Sequence, residues 1–164
     1  RRTVHLGEHL TLIFENEALM RYQVQEMLRV ERIFEAEGIQ DELDAYNPLV
    51  PDGSNFKVTM MIEYTVESER RRALAKMRGI EHKVFIEVEG QPRVYPIADE
   101  DLERTTEDKT AAVHFLRFEL SPPMRAALKA GAQMKVGCEH KEYPFHTDSL
   151  PPETLAELVT DLAD

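Results

Sequence analysis

Residues 56–64 have the sequence FKVTMMIEY, in which apolar and polar side chains mostly alternate. A period of two is typical of a β-strand that buries one face. Residues 67–78 follow with acidic side chains in the first turn, basic ones in the last and Gly79 just beyond, which predicts a helix. Alternation returns over residues 84–88, so the whole stretch predicts one β-α-β unit.

The same order recurs in the second half of the chain. A strand is predicted over residues 111–120, a helix from Ser121 to Gly131 and another strand over residues 133–139. Ser followed by Pro at the start, with Gly at the far end, is a typical pair of helix boundaries. Two such units predict an α+β fold with a split β-α-β (ferredoxin-like) sheet, and residues 93–97 predict an extra hairpin strand.

The region before these units is predicted to be helical. Residues 16–37 contain no Gly or Pro, and Gly38 stands where a helix often ends. This predicts a long N-terminal helix of roughly 33 Å. A shorter helix is predicted over residues 40–46, and the turn-rich residues 49–55 separate it from the sheet region.

Length and composition indicate one domain over residues 1–164. We divide it into a helical N-terminal part (1–48), an α+β sheet part (55–147) and a C-terminal helix (148–164). The net charge of -11 repels polyphosphate and anionic lipid, so neither nucleic acid nor a membrane is expected as a partner. A single cysteine excludes an intrachain disulfide and favours a cytoplasmic location.

Common cofactor motifs are absent from the sequence. The seven glycines never form G-x-G-x-x-G or G-x-x-x-x-G-K, which excludes nucleotide binding through those loops. No G-x-S-x-G, H-E-x-x-H or Glu-x-x-His occurs either. We therefore expect no bound cofactor.

Cys138, His140 and His146 form a C-x-H-x5-H pattern. Residues two apart on a strand share a face, so the first two are candidate ligands of one metal ion. However, Met134 and Val136 share that face too, which fits a small core cysteine equally well. Three ligands without a fixed fourth are a weak signature, so these residues remain weak candidates and no metal is expected.

His114 alternates with Leu116 and Phe118 on the face of a predicted strand, which is typical of a hydrogen-bonded core histidine. The alternative is catalytic. If the second β-α-β unit folds as predicted, His114, His140 and Tyr143 converge on a pocket suited to acid–base chemistry.

A helical wheel of residues 16–37 gathers the arginines on one narrow side and apolar side chains on most of the rest. Such a helix needs cover from more than one direction, which predicts a homodimer or a hetero-complex through this helix. Glu26 and Glu31 fall inside the apolar zone, and burial is expected for Glu31 between Met27 and Phe34. A buried carboxylate must be paired, protonated or bound to a cation, so both glutamates are candidate site residues.

Several short motifs resemble a bacterial family known as domain of unknown function 3501. They are Arg1-Arg2-x-Val4, Phe14-Glu15-Asn16, Gln23-x-x-Glu26-Met27-x-x-x-Glu31, Met61-Ile62-Glu63-Tyr64, Glu69-Arg70-Arg71, Gly79-Ile80-Glu81, His114-Phe115-Leu116-Arg117-Phe118 and His140-x-x-Tyr143. The resemblance covers nearly the whole chain. Members are often encoded beside a rubrerythrin-like protein and an iron–sulfur oxidoreductase, so it implies a role near peroxide or redox metabolism and a redox protein as partner. It implies no reaction and no catalytic residues.

Two functional hypotheses follow. The first is a non-catalytic accessory or binding protein that acts with a redox partner, because cofactor motifs are missing and one helix carries excess apolar surface. The second is a small enzyme that uses Glu26 or Glu31 with His114, His140 and Tyr143 for acid–base or metal-assisted chemistry. A shared open cleft favours the enzyme, and separate satisfied networks favour the accessory protein.

Overall fold

A computed structural model describes residues 2–100 and 103–163, which form eight β-strands and five α-helices. The strands are β1 (Thr3–Leu6), β2 (Leu10–Phe14), β3 (Asn55–Ile62), β4 (Val84–Val88), β5 (Ile97–Ala98), β6 (Val113–Glu119), β7 (Met134–Cys138) and β8 (Phe145–His146). The helices are α1 (Glu17–Glu31), α2 (Ala36–Tyr46), α3 (Glu67–Lys76), α4 (Pro122–Lys129) and α5 (Pro152–Val159). This confirms the α+β class.

The strands form two antiparallel sheets rather than one. The larger sheet has the order β1-β2-β3-β6-β5, and the smaller has the order β4-β7-β8. The alternation that predicted β3 is confirmed, since Phe56, Val58, Met60 and Ile62 are all buried. Apolar side chains from both sheets belong to one continuous core.

This arrangement differs from the predicted split β-α-β sheet. Helix α3 follows β3 in the larger sheet and leads to β4 in the smaller one, and α4 likewise connects β6 to β7. Equivalent strands pair with each other instead, β3 with β6 and β4 with β7. Alternation identifies which face of a strand is buried, but it carries no information about the strand that will lie beside it.

The predicted hairpin strand over residues 93–97 is divided between the two sheets. Val94 exchanges both backbone hydrogen bonds with Ile86 of β4, at 2.8 and 3.0 Å. Pro96 has no N–H to donate, and the next two residues form β5 beside β6. Residues 93–97 are predicted as one strand, but Pro96 lies between the pairing of Val94 with β4 and the pairing of Ile97–Ala98 with β6.

The prediction of one long N-terminal helix is wrong in two respects. The β1–β2 hairpin precedes the helices, and the helical stretch is interrupted at Arg32, which adopts a left-handed conformation with φ 55°. Asn16 does cap α1 as its position suggests, because its side chain accepts a hydrogen bond from the Leu19 N–H at 2.8 Å. Gly38 lies inside α2, where the side chain of Ile33 leaves no room for a Cβ.

The predicted C-terminal helix is confirmed as α5. Leu158 is buried in the core, and α5 also contacts the start of the chain through Arg2. The Arg2 guanidinium donates to the Phe14 carbonyl oxygen at 2.8 Å and forms an ion pair with Asp161. Among the described residues, no helix combines the length and apolar character needed to cross a membrane.

Candidate functional site

Helix α1 leaves an apolar surface exposed. Met20 and Val24 are buried against the body, whereas Tyr22 and Val30 are 62% and 64% exposed. At 100° per residue, Leu19, Tyr22 and Val30 lie within an arc of about 80° on the side away from Met20 and Val24. We call Leu19, Tyr22, Val30 and Phe34 the α1 surface.

Phe34, the fourth residue of the α1 surface, lies just beyond the end of the helix. It lies in the short connection between α1 and α2, and its side chain is 81% exposed. Exposed apolar side chains that group on one face of a helix, as Leu19, Tyr22 and Val30 do, are typical of a protein interaction site.

The two glutamates predicted to lie in the apolar zone are on the protein surface. Glu26 pairs with Arg29 at 2.8 Å, and this hydrogen bond holds the pKa of Glu26 below its usual value. Glu31, expected to be buried, is exposed. The wheel showed correctly where apolar residues gather, but the protein body covers only the side of Met20 and Val24.

His114 is completely buried, and both of its ring nitrogens have partners. Nδ1 lies 2.6 Å from Oδ2 of Asp99, while Nε2 lies 2.7 Å from the Thr110 hydroxyl and 3.1 Å from the Ala111 carbonyl oxygen. The other Asp99 oxygen accepts a hydrogen bond from the Phe115 N–H at 2.9 Å. The sequence predicted a hydrogen-bonded core histidine, and this part of the interpretation is confirmed.

A chain of hydroxyl groups leads from His114 to a buried glutamate that the sequence analysis missed. The Thr110 hydroxyl lies 2.9 Å from that of Thr105, which donates to Glu81 Oε2 at 2.6 Å. Glu81 is 4% exposed. Ligand atoms of Glu81, Asp99 and His114 all lie within 4.8 Å of one another, so these residues are the candidate metal ligands of the described structure. Asp99, Thr105 and Thr110 lie between β5 and β6, close to His114 and Glu81. The periodicity of the sequence gives no signal for this cluster.

His140 and Tyr143 bind to backbone groups. His140 Nε2 lies 2.8 Å from the Arg78 carbonyl oxygen, and Nδ1 accepts a hydrogen bond from the Glu142 N–H at 3.1 Å. The Tyr143 hydroxyl donates to the Leu6 carbonyl oxygen at 2.5 Å and accepts from the His9 N–H at 3.0 Å. Neither side chain is in the His114 network.

The C-x-H-x5-H residues are divided by the β7–β8 ladder. His146 lies directly opposite Gly137, and Cys138 is opposite Phe145. Since successive residues point to opposite faces of a sheet, Cys138 and His146 project to different sides. Cys138 is buried, and burial raises the pKa of its thiol.

An open groove of about 580 Å³ lies at the β1–β2 turn and was not predicted. Its lining includes His5, His9, Glu63 and Tyr64. The His9 ring stacks on Tyr64 with ring centroids 3.8 Å apart, and its Nδ1 lies 2.8 Å from the Glu63 carbonyl oxygen. The signal available was the pair of histidines four residues apart across Gly7.

A second cavity of about 370 Å³ lies between α2 and the outer face of the larger sheet. Glu15 borders it, and the Thr59 hydroxyl donates to Glu15 Oε2 at 2.6 Å. Burial raises the pKa of Glu15, while this hydrogen bond and the nearby Arg2 act in the opposite direction.

Comparisons with known proteins place the chain in a family. No match was found among curated proteins. A crystal structure described as a novel protein of unknown function from Burkholderia pseudomallei K96243 is 56% identical, has a TM-score of 0.93, and the match covers 99% of this chain and 84% of the other. The family described as "Protein of unknown function (DUF3501)" matches residues 1–162. The chain therefore belongs to the DUF3501 family, as its motifs had suggested.

Proposed function

We propose that this protein is a non-catalytic accessory protein of the cytoplasm that binds a redox protein through the α1 surface. The observation that carries the proposal is the exposure of Tyr22 and Val30 on one face of α1, together with that of Phe34 just beyond the helix. Each large apolar side chain left in water loses the stabilisation that burial provides, so their grouping is best explained by a partner that covers them.

The placement of the polar candidates supports a binding role. Glu26 and Glu31 lie on the helix surface, His114 lies in a buried network, and His140 and Tyr143 contact backbone groups elsewhere. Acid–base catalysis needs its groups within reach of one substrate atom. These five side chains do not meet in one open cleft.

The type of partner is inferred from the family resemblance and from local charge. The family resemblance implies that the partner is a redox protein, in a peroxide or oxidative-stress setting. Around the α1 surface, Arg21 pairs with Glu17 and Arg29 pairs with Glu26. Glu26 lies between Tyr22 and Val30 on the helix, so its ion pair with Arg29 lies within the α1 surface, whereas the Arg21–Glu17 pair lies to one side of it. A second copy of the chain is the alternative occupant.

The experiment compares wild type with a Tyr22→Glu, Val30→Glu double variant. Tagged protein is expressed in the native host, and captured proteins are identified by mass spectrometry. We expect a redox protein to be captured by wild type and to be lost with the double variant, because two charges in the interface centre must be desolvated. Gln25→Ala, an exposed change on the same helix, is the matched control and retains capture.

Light scattering decides between the two occupants. A wild-type dimer that becomes a monomer in the double variant identifies a second copy as the occupant. The proposal that the α1 surface is a binding site is contradicted if wild type and the double variant capture the same proteins and wild type is a monodisperse monomer of about 19 kDa.

A small enzyme is the second candidate function, and the His9 groove is the observation that favours it. The Glu63 carbonyl oxygen can only accept, so His9 Nδ1 carries the proton and Nε2 keeps the lone pair that a general base needs. Hydrolysis of p-nitrophenyl acetate tests this role. His9→Gln should abolish the activity and His82→Gln, an exposed histidine outside the groove, should not; equal rates in both variants rule the role out.

A further inference from the structure

We propose that Glu81, Asp99 and His114 bind one divalent transition-metal ion, at a buried site separate from the α1 surface. The ligand atoms of the three side chains lie within 4.8 Å of one another. Metal–oxygen and metal–nitrogen bonds of this class are roughly 2.0–2.2 Å long, so ligands on opposite sides of one ion lie about 4.4 Å apart at most, and small side-chain rotations would bring all three atoms into contact with one ion.

Three separate parts of the fold supply the ligands. Glu81 lies in the 3₁₀ turn Ile80–His82, Asp99 follows β5, and His114 is the second residue of β6. Asp99 adopts a left-handed backbone conformation, with φ 52°, which aspartate takes more readily than most residues other than glycine.

One oxygen of Glu81 lacks a partner in this cluster. Oε2 accepts from Thr105, but Oε1 is shielded from water and receives no hydrogen bond within the described residues. His82 Nε2 lies 3.9 Å from Oε2, a distance too long for a hydrogen bond. Burying a carboxylate oxygen without a hydrogen-bond donor costs free energy, and a cation beside Oε1 would offset that cost.

His114 can bind a metal ion by giving up one proton. A carboxylate oxygen only accepts, so Nδ1 donates to Asp99 Oδ2 at 2.6 Å. A metal ion would replace this proton between the two atoms, and Nε2 would then donate to the Thr110 hydroxyl or the Ala111 carbonyl oxygen, 2.7 and 3.1 Å away. A ligating histidine typically donates its other N–H to such a carbonyl group.

The local charge favours a divalent ion. Two carboxylates face one guanidinium, since Arg104 Nε lies 3.2 Å from Asp99 Oδ1. Among the described residues, the two carboxylates of the cluster thus outnumber the one guanidinium that contacts them. Arg104 contacts the Asp99 oxygen that does not face His114, so a metal ion at Oδ2 would replace the hydrogen bond from His114 and leave the Arg104 contact in place.

The donor set indicates the class of metal. One imidazole nitrogen with two carboxylate oxygens suits zinc or manganese better than calcium, which prefers oxygen alone. Ligands of one such ion stand roughly 3 Å apart, so a small rotation of the Asp99 carboxylate away from His114 completes the site.

Isothermal titration of chelator-treated protein with zinc chloride, and separately with manganese chloride, tests the proposal. We expect one ion per chain, and binding weakened at least about tenfold by Glu81→Gln, which keeps the side-chain shape but removes the charge. Cys138→Ser and His9→Gln are controls for the two other places where metal-binding side chains occur, and both should bind as wild type does.

Thermal unfolding provides a second readout that does not depend on the folding of Glu81→Gln. A metal that binds only the native state raises the melting temperature by mass action. One equivalent of the bound metal should therefore stabilise wild type and the Cys138→Ser, His9→Gln double variant alike. The proposal is overturned if neither metal binds, if Glu81→Gln binds as tightly as wild type, or if the double variant loses the effect.

Discussion

Replacing Arg2 by Met tests whether the contact between the start of the chain and α5 is a major source of stability. The guanidinium is 8% exposed and binds the Phe14 carbonyl oxygen, Glu157 and Asp161. Methionine retains much of the apolar stem, so the change removes mainly the charge and its hydrogen bonds.

The expected loss is large because Asp161 is also buried, at 6% exposure. Removing one partner of a buried ion pair leaves the other charge without compensation, which typically costs about 3–5 kcal/mol. Arg21→Met is the matched control. Arg21 forms an ion pair of the same type with Glu17, but those side chains are 68% and 72% exposed, and such pairs contribute about 1 kcal/mol or less.

The assay is urea unfolding of both variants, with the free energy of unfolding extrapolated to water. Burial raises the pKa of Asp161, and Arg2 opposes this effect. Without Arg2 the pKa of Asp161 should rise further, so the cost of Arg2→Met should be largest near neutral pH and shrink in acid as Asp161 becomes protonated. If the two variants lose the same stability at pH 7, the reasoning about the buried pair is refuted.

Three further predictions concern stability. Burial raises the pKa of Glu15 above its ordinary value of 4.5, so wild type is most stable while Glu15 is protonated and loses that stability as the pH rises through the folded-state pKa. Glu15→Gln should therefore gain stability relative to wild type between about pH 4 and pH 7. A pH-independent difference in urea unfolding would contradict this. Glu31→Ala should change the free energy of unfolding by less than about 0.5 kcal/mol, because the side chain is exposed, and a loss of several kcal/mol would restore the burial first expected. Gly7→Ala should cost about 1–3 kcal/mol, since φ is +69° and the new Cβ would lie 2.6 Å from the Tyr143 hydroxyl oxygen; Gly90→Ala, with φ +79° and open space around it, should cost less, and thermal melts of the two compare them directly.

The elements predicted most accurately are those whose signal is local. The alternation of residues 56–62, the Ser121 cap before α4 and the final amphipathic helix all appear as expected. Each of these elements is specified by the spacing of side chains and by capping within one short segment, so no distant residue is needed to predict it.

The errors arise where distant segments decide the outcome. Gly38 was interpreted as a helix end, yet the break comes at Arg32, and nothing in the local pattern distinguishes the two positions. Similarly, the wheel indicated that α1 is apolar over most of its surface but not which part the body covers. That depends on where the rest of the chain folds, and here Glu31 stays in water while Val24 is buried.

By itself, the sequence determined the α+β class, the positions of β3, β4, β6 and β7, and the family, and it favoured burial of His114. Only the tertiary structure decided that β3 pairs with β6, and that Glu81, Asp99 and His114 meet. The physical reason is the range of each signal. Periodicity and capping act within one or two turns or one strand, whereas the cluster joins side chains that lie 15 or more residues apart and are brought together by the packing of the whole core.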